Sequence, residues 1–192
     1  MADKFTTLFV AALATSVAIR VWLALRHQRH VRAHRNAVPA AFASQISLDA
    51  HRKAADYTVA RIRLALIDIA VGGIVLLALT LGGLLQRMFE AWAGVFDPQG
   101  YAHGITWMAT TALVGFLADL PLSVYRTFGV EQRFGFNRMT WRLFAADLAK
   151  EALLAGLIGI PVLLAVLWLM DHMGALWWLY VWLFWIGFNL LI

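Results

Sequence analysis

Three histidines, His27, His30 and His34, stand at helical spacing just after the first apolar run of the chain. Imidazole is a common metal ligand, so these side chains could line one helix face and bind a metal ion. No carboxylate occurs at a supporting spacing, although metal-bound histidines usually need such a partner. The segment is also rich in arginine, and the sequence therefore favours a basic segment beside a membrane over a metal site.

The sequence also excludes several other kinds of site. None of its six histidines is followed by glutamate, so it contains no His-Glu-x-x-His zinc motif. It has no cysteine, which excludes thiol catalysis, disulfides and cysteine zinc sites.

Three charged residues, Arg20, Asp68 and Asp119, lie inside long apolar runs. Counted from the nearest basic residue outside each run, they lie ~7–11 Å inside a helix, at nearly one depth. A charge that faces lipid at the bilayer centre costs about 3 kcal/mol, so we expect these residues on the interior of a bundle. The hypothesis is that Arg20 pairs with Asp68 or Asp119 near a watery cavity. The alternative is three separate interfacial residues, with Arg20 reaching the headgroups through its long stem.

Residues 120–140 form the most distinctive connection in the sequence. Four aromatic residues lie within twelve positions, which predicts that the segment packs on another element. Two glycines and Asn137 predict turns, and Thr140 is a candidate N-cap for the next helix. Glu131 is a candidate contact residue, which could act through Arg138 or Arg133. The alternatives are a loop salt bridge for Glu131 and a plain turn position for Asn137.

Composition places all these residues in a membrane protein. The 192 residues are 62% hydrophobic and 14% charged, whereas a soluble domain is roughly 45–50% apolar and 25% charged. A span needs ~20 apolar residues, and lipid leaves unpaired backbone groups without partners, so the spans must be helical. The predicted fold is all-α, a polytopic membrane helix bundle with about five transmembrane helices. The predicted spans are residues 5–25, 64–85, 105–124, 152–170 and 176–192.

Basic residues lie almost entirely on alternate connections. The connections after the first and third runs hold most of them, the one after the second holds Arg87, and the one after the fourth holds none. By the positive-inside rule the basic loops are cytoplasmic and the N-terminus is outside. The net charge of +5 then predicts a bilayer with anionic headgroups as a partner, and no nucleic acid. Thirteen arginines against three lysines suggest a bacterial inner membrane.

The second basic loop carries a set of residues that resembles a known family signature. These residues are Leu120, Pro121, Tyr125, Thr127, Phe128, Glu131, Gly135, Phe136, Asn137 and Thr140. With further matches near Tyr57 and at Trp182–Phe184, the chain resembles the CAAX prenyl endopeptidases, which are integral membrane zinc metalloproteases. Phe134 stands where eukaryotic members commonly have histidine, so that histidine's role does not transfer, and the chain resembles the bacterial branch.

The resemblance implies a membrane-embedded endopeptidase whose zinc is held by a His-Glu-x-x-His helix and a further glutamate. In the family this catalytic segment follows the fifth span, on the cytoplasmic side. The chain ends on apolar residues, Leu190–Ile192, with no polar flank. We therefore expect residues 1–192 to be the N-terminal membrane domain of a longer metallopeptidase, without its catalytic domain and inactive alone.

The expected function is to form part of a helical chamber, admit a peptide substrate and dock the downstream catalytic domain. The task would be processing or turnover of membrane-associated proteins. Contact candidates are Glu131, Asn137 and Arg138; no catalytic or metal-binding residue is expected in this chain, and zinc is implied only for the full-length protein. Two alternatives are open, a small transporter or channel module, suggested by Asp68 and Asp119, and a non-catalytic membrane scaffold.

Overall fold

The computed structural model of the protein describes residues 2–191, and in that range it contains helices and connections without strands. The all-α prediction is confirmed. The α-helices in the described range are α1 (Ala2–Ala33), α2 (Leu48–Leu79), α3 (Leu84–Ala93), α4 (Tyr101–Val124), α5 (Trp141–His172) and α6 (Trp177–Leu191). A π-helix, Tyr125–Glu131, continues α4, and short 3-10 turns lie at Ala40–Phe42 and Gly174–Leu176.

Four of the described helices are long and apolar enough to cross a membrane: α1, α2, α4 with its π-helical continuation, and α5. The fifth predicted span corresponds to a shorter apolar segment, Gly174–Leu190; its last predicted residue, Ile192, lies outside the described residues. With 32 residues each, α1, α2 and α5 are ~48 Å long, well above the ~30 Å of a hydrocarbon core. Each of these helices is therefore long enough to project from the bilayer.

The second predicted span was wrong at its end. It was expected to run to residue 85, but α2 ends at Leu79 and a separate helix, α3, begins at Leu84. Gly83 adopts a φ of 71°, which favours glycine, and a Cβ on Gly82 would lie 2.6 Å from the Ala78 carbonyl oxygen. These two glycines therefore end the helix with a turn.

The predicted N-cap at Thr140 is confirmed, and Ser47 caps α2 in the same way. The Ser47 hydroxyl accepts a hydrogen bond from the Ala50 amide at 3.2 Å, at the start of α2. The Thr140 hydroxyl accepts one from the Leu143 amide at 3.2 Å, at the start of α5. Each cap satisfies a backbone donor that the first helical turn leaves unpaired.

The chain divides into two compact units. The first comprises residues up to Leu84 and Val114–Arg138, so it contains α1, α2 and the end of α4 with the π-helix. Its main contact is between α1 and α2, and Leu64 and Ile69 of α2 are buried. A Cβ on Gly73 would lie 3.9 Å from Val17, so this glycine faces α1 across the contact.

The second unit comprises Leu85–Leu113 and the chain from Met139 onwards. Its main contact is between α5 and α6. The beginning of α4 also approaches α5 closely, because a Cβ on Gly104 would lie 3.1 Å from a Leu167 methyl carbon.

Candidate functional site

The connection after α4 is helical for longer than its sequence suggested. Turns were expected at both glycines, but Gly129 lies inside the π-helix and only Gly135 forms a turn, with a φ of 75°. A Cβ on Gly129 would lie 2.8 Å from the Tyr125 ring, so the glycine leaves space for that ring against the backbone. A π-helix is rare and is frequently found at functional sites, so this connection is a candidate functional segment.

The turn after the π-helix closes on Glu131. The backbone carbonyl of Glu131 accepts hydrogen bonds from the Phe136 amide at 2.9 Å and the Asn137 amide at 3.3 Å. The structure thus brings Glu131 and Asn137 together, with both residues half-buried. Arg138 follows directly and is exposed.

Two aromatic rings of this connection pack on α2. The Tyr57 ring contacts Phe134 and Phe136 edge-on, at centroid distances of 5.5 and 4.8 Å. The expectation that the aromatic segment packs on another element is therefore confirmed. Such edge-to-face pairs contribute roughly 0.5–1.5 kcal/mol beyond their buried area, and they fix the turn against the helix.

Three cations surround these rings. Lys53 Nζ lies 5.3 Å from the Phe136 ring centroid, and the Arg61 and Arg133 guanidinium carbons lie 5.7 and 5.9 Å from the rings of Tyr57 and Phe134. We call these three cations and the rings of Tyr57, Phe134 and Phe136 the cation–aromatic patch.

Beside the patch, a two-pronged ion pair joins the connection after α1 to α2. Arg35 donates from Nε and Nη2 to the two carboxylate oxygens of Asp56, both at 2.7 Å. These hydrogen bonds raise the pKa of the Arg35 guanidinium above its usual value. Two further contacts join the same connection to α2. His51 Nε2 lies 2.9 Å from the His34 carbonyl oxygen, and Arg52 Nε donates to the Asn36 side chain at 3.0 Å.

The predicted intramembrane cluster forms no ion pair in this structure. Within residues 2–191, Arg20, Asp68 and Asp119 have no oppositely charged partner within 4 Å. Arg20 and Asp119 are exposed and Asp68 is half-buried on α2. Their place on the interior of a water-filled chamber stays a prediction.

The histidines near the end of α1 make local contacts. The rings of His30 and His34 lie 4.2 Å apart, and His34 Nδ1 lies 2.9 Å from the His30 carbonyl oxygen. In the described part of the chain no group of three His, Cys, Asp or Glu side chains is placed to hold a metal ion. The described residues therefore do not fit a zinc site, and no chemical step of a metal centre is assigned to them.

Sequence reasoning missed a polar cluster in the second unit. His103 is 1% exposed, and its Nε2 donates to the Phe89 carbonyl at 3.0 Å. Trp107 Nε1 donates to the Leu85 carbonyl at 3.1 Å, and Trp92 Nε1 donates to the Thr110 hydroxyl at 3.0 Å. These three bonds attach α3 to α4. The apolar spacing of Leu85, Met88, Phe89 and Trp92 was the signal that could have revealed α3.

Comparison with known proteins decides the family. Residues 27–192 match the family model described as CAAX prenyl protease N-terminal, five membrane helices. The chain belongs to the CAAX prenyl protease family. Among relatives, the CAAX prenyl protease 1 homolog of Caenorhabditis elegans is 27% identical over 92% of this chain and 39% of its own length. CAAX prenyl protease 1 of Saccharomyces cerevisiae is 36% identical over 43% of this chain and 19% of its own length.

The fold of the family is also seen in a crystal structure. That of Ste24p from S. mikatae aligns with a TM-score of 0.84 at 21% identity, over 94% of this chain and 43% of that one. This chain therefore spans about two fifths of the length of the proteins to which it is similar. It corresponds to their N-terminal membrane region, so it is a multi-pass membrane protein.

Proposed function

We propose that this chain is the membrane-embedded N-terminal part of a CAAX-protease-like zinc metalloendopeptidase, and that the connection after α4 docks the downstream catalytic domain. The observation that supports this is the turn at Glu131, whose backbone carbonyl accepts hydrogen bonds from the Phe136 and Asn137 amides. Together with the packing of Phe136 on Tyr57, this closure presents Glu131, Asn137 and Arg138 on a rigid support. Rigid support is what a contact needs if it is to position catalytic groups.

In this proposal, the downstream catalytic domain would bind the zinc, and this chain would form part of the helical chamber. Its helices would enclose a peptide substrate, with Arg20, Asp68 and Asp119 facing the polar interior. The basic loops would lie in the cytoplasm of a bacterium, with the protein in the inner membrane and anionic headgroups around its arginines. The activity would serve the turnover of membrane-associated proteins.

The docking role is tested in the full-length parent protein with Glu131→Ala and Asn137→Ala. Loss of a hydrogen bond to a charged or buried group costs about 1.5–3 kcal/mol, so we expect peptidase activity to fall roughly ten- to a hundredfold. The measurement is cleavage rate per amount of folded protein. Gln132→Ala, at an exposed neighbouring position, is the control and should keep its activity. Normal activity in both test variants would remove the docking role.

The chamber role of the intramembrane charges is tested by charge reversal. Arg20→Asp should lose activity, because a third negative charge joins the two aspartates in a medium that solvates charge poorly. Adding Asp68→Arg or Asp119→Arg should restore it where the two positions share one polar interior. If neither double variant recovers, the three residues act separately.

The alternatives predict different behaviour of the isolated chain. A transporter or channel module would give solute flux when the 192 residues alone are reconstituted in liposomes. A scaffold would bind partner helices, and its full-length protein would have no peptidase activity. Neither outcome is expected from the docking proposal.

A further inference from the structure

The cation–aromatic patch carries positive charge that the described part of the chain leaves uncompensated. Within residues 2–191, Lys53, Arg61 and Arg133 have no carboxylate within 4 Å. The neighbouring Asp56 is taken by Arg35, and Arg133 acts on it only through a longer-range coulombic interaction. The three cations are exposed, and in the described structure they rest against rings.

The rings hold the cations in place. Each cation lies within 6 Å of a ring centroid, close enough for a cation–π contact. Such a contact attracts the cation but does not neutralise it, so the charge stays available to an anion. Lys53, Tyr57 and Arg61 stand four residues apart along one face of α2, which sets the two cations on either side of the central ring.

The height of the patch above the membrane favours one of two possible anions, the phosphate of a lipid headgroup or the carboxylate of a polypeptide. With Leu64 as the first residue of the span, Tyr57 lies seven residues, or ~10 Å, outside the hydrocarbon core. A headgroup layer is only about 5–7 Å thick on each side. With the span beginning at Leu64 as predicted, Lys53 and Tyr57 therefore lie beyond the phosphates of a flat bilayer, within reach of a polypeptide, and Arg61 lies at the level of the headgroups.

We propose that the cation–aromatic patch is a docking surface for an acidic polypeptide segment of a partner protein. Carboxylates of the segment would bind Lys53, Arg61 and Arg133, and the exposed edge of Phe136 would contact its aliphatic stems. Guanidinium groups bind carboxylates through two parallel hydrogen bonds, which gives the contact direction as well as charge. The three cations of the patch are different residues from Glu131, Asn137 and Arg138, so their role can be tested whether or not those residues dock a catalytic domain.

The test uses the whole chain in nanodiscs of zwitterionic phosphatidylcholine and a fluorescein-labelled peptide of alternating glutamate and glycine. Binding is measured by fluorescence anisotropy. Lys53→Gln with Arg133→Gln should weaken binding roughly 3–30-fold, because each exposed ion pair contributes up to about a fivefold change. Arg29→Gln with Arg32→Gln removes the same charge from exposed positions on α1 and should change binding less than twofold.

Two further measurements make the outcome decisive. Lys53→Arg with Arg133→Lys keeps the charge and should keep the affinity, which separates a lost contact from a lost fold. Equal weakening by the patch variant and the α1 variant would overturn the proposal, since the peptide would then sense only net charge. A patch variant that binds the peptide normally but loses affinity for vesicles containing phosphatidylglycerol would overturn it in favour of a lipid site.

Discussion

Gly135 determines how the connection after α4 meets α2. Its φ of 75° lies in the left-handed region, which costs other residues roughly 1–2 kcal/mol. It stands between Phe134 and Phe136, whose rings both contact Tyr57. The turn and the aromatic packing therefore depend on one backbone conformation.

Replacement of Gly135 by alanine should destabilise the protein by about 1 kcal/mol, because alanine adopts this conformation at a cost. Asparagine tolerates it better, so Gly135→Asn should lose less. The measurement is thermal unfolding in detergent, followed by circular dichroism. Gly115→Ala is the control, because a Cβ there has nothing within 4 Å and alanine favours a helix. If Gly135→Ala is as stable as Gly115→Ala, the turn does not depend on the glycine.

For individual residues, the sequence predicted the contacts between residues that are close together along the chain. The Ser47 and Thr140 caps were predictable because a cap involves residues only three positions apart. Asp49 and Lys53 stand four residues apart on α2, yet Asp49 pairs with Arg52 at 3.7 Å and Lys53 contacts the Phe136 ring. That contact joins distant parts of the chain, which no local spacing reveals.

At the scale of elements, the apolar runs predicted the long helices but not how they end. The apolar residues continue from α2 into α3, so hydropathy alone did not separate the two helices at Gly82 and Gly83. The π-helix was hidden for a different reason. Its wider turns leave no periodic signal over only seven residues, Tyr125–Glu131.

The attachment of α3 to α4 gives an element-scale prediction. Trp107→Phe removes the donor to the Leu85 carbonyl while keeping the ring. A hydrogen bond of this kind contributes about 0.5–1.5 kcal/mol, so local opening of α3 should become roughly 2–10 times more frequent. The measurement is hydrogen–deuterium exchange of residues 84–93. Trp178→Phe, at an exposed position, should leave that exchange unchanged; equal protection in both variants would contradict the attachment.

At the scale of the whole molecule, the predicted orientation can be tested directly because the sequence contains no cysteine. Single cysteines at Gln99 and Arg29, both exposed, lie on connections predicted to face opposite sides of the membrane. A membrane-impermeant maleimide should label Gln99→Cys in intact spheroplasts, and Arg29→Cys only after permeabilisation. The reverse pattern would invert the topology.

The architecture and the family were accessible from the sequence, whereas the site was only partly so. Five apolar runs and alternate basic connections fix a multi-span fold through physics that acts on every residue. The residues of the second basic loop carried the family resemblance. The cation–aromatic patch was not foreseen, because it joins α2 to a turn some eighty positions away through Tyr57, Phe134 and Phe136.

The part of α2 that extends beyond its predicted span sets the distance between the cation–aromatic patch and the membrane. With the span beginning at residue 64 as predicted, Tyr57 would stand ~10 Å above the hydrocarbon edge, and an extended chain advances ~3.3 Å per residue. A polypeptide that is anchored in the same bilayer therefore needs a tether of at least about three residues before its first acidic group reaches the patch. Chains whose charges lie closer to their anchor would pass below it, so the length of one helix would sort its partners by distance along their sequence.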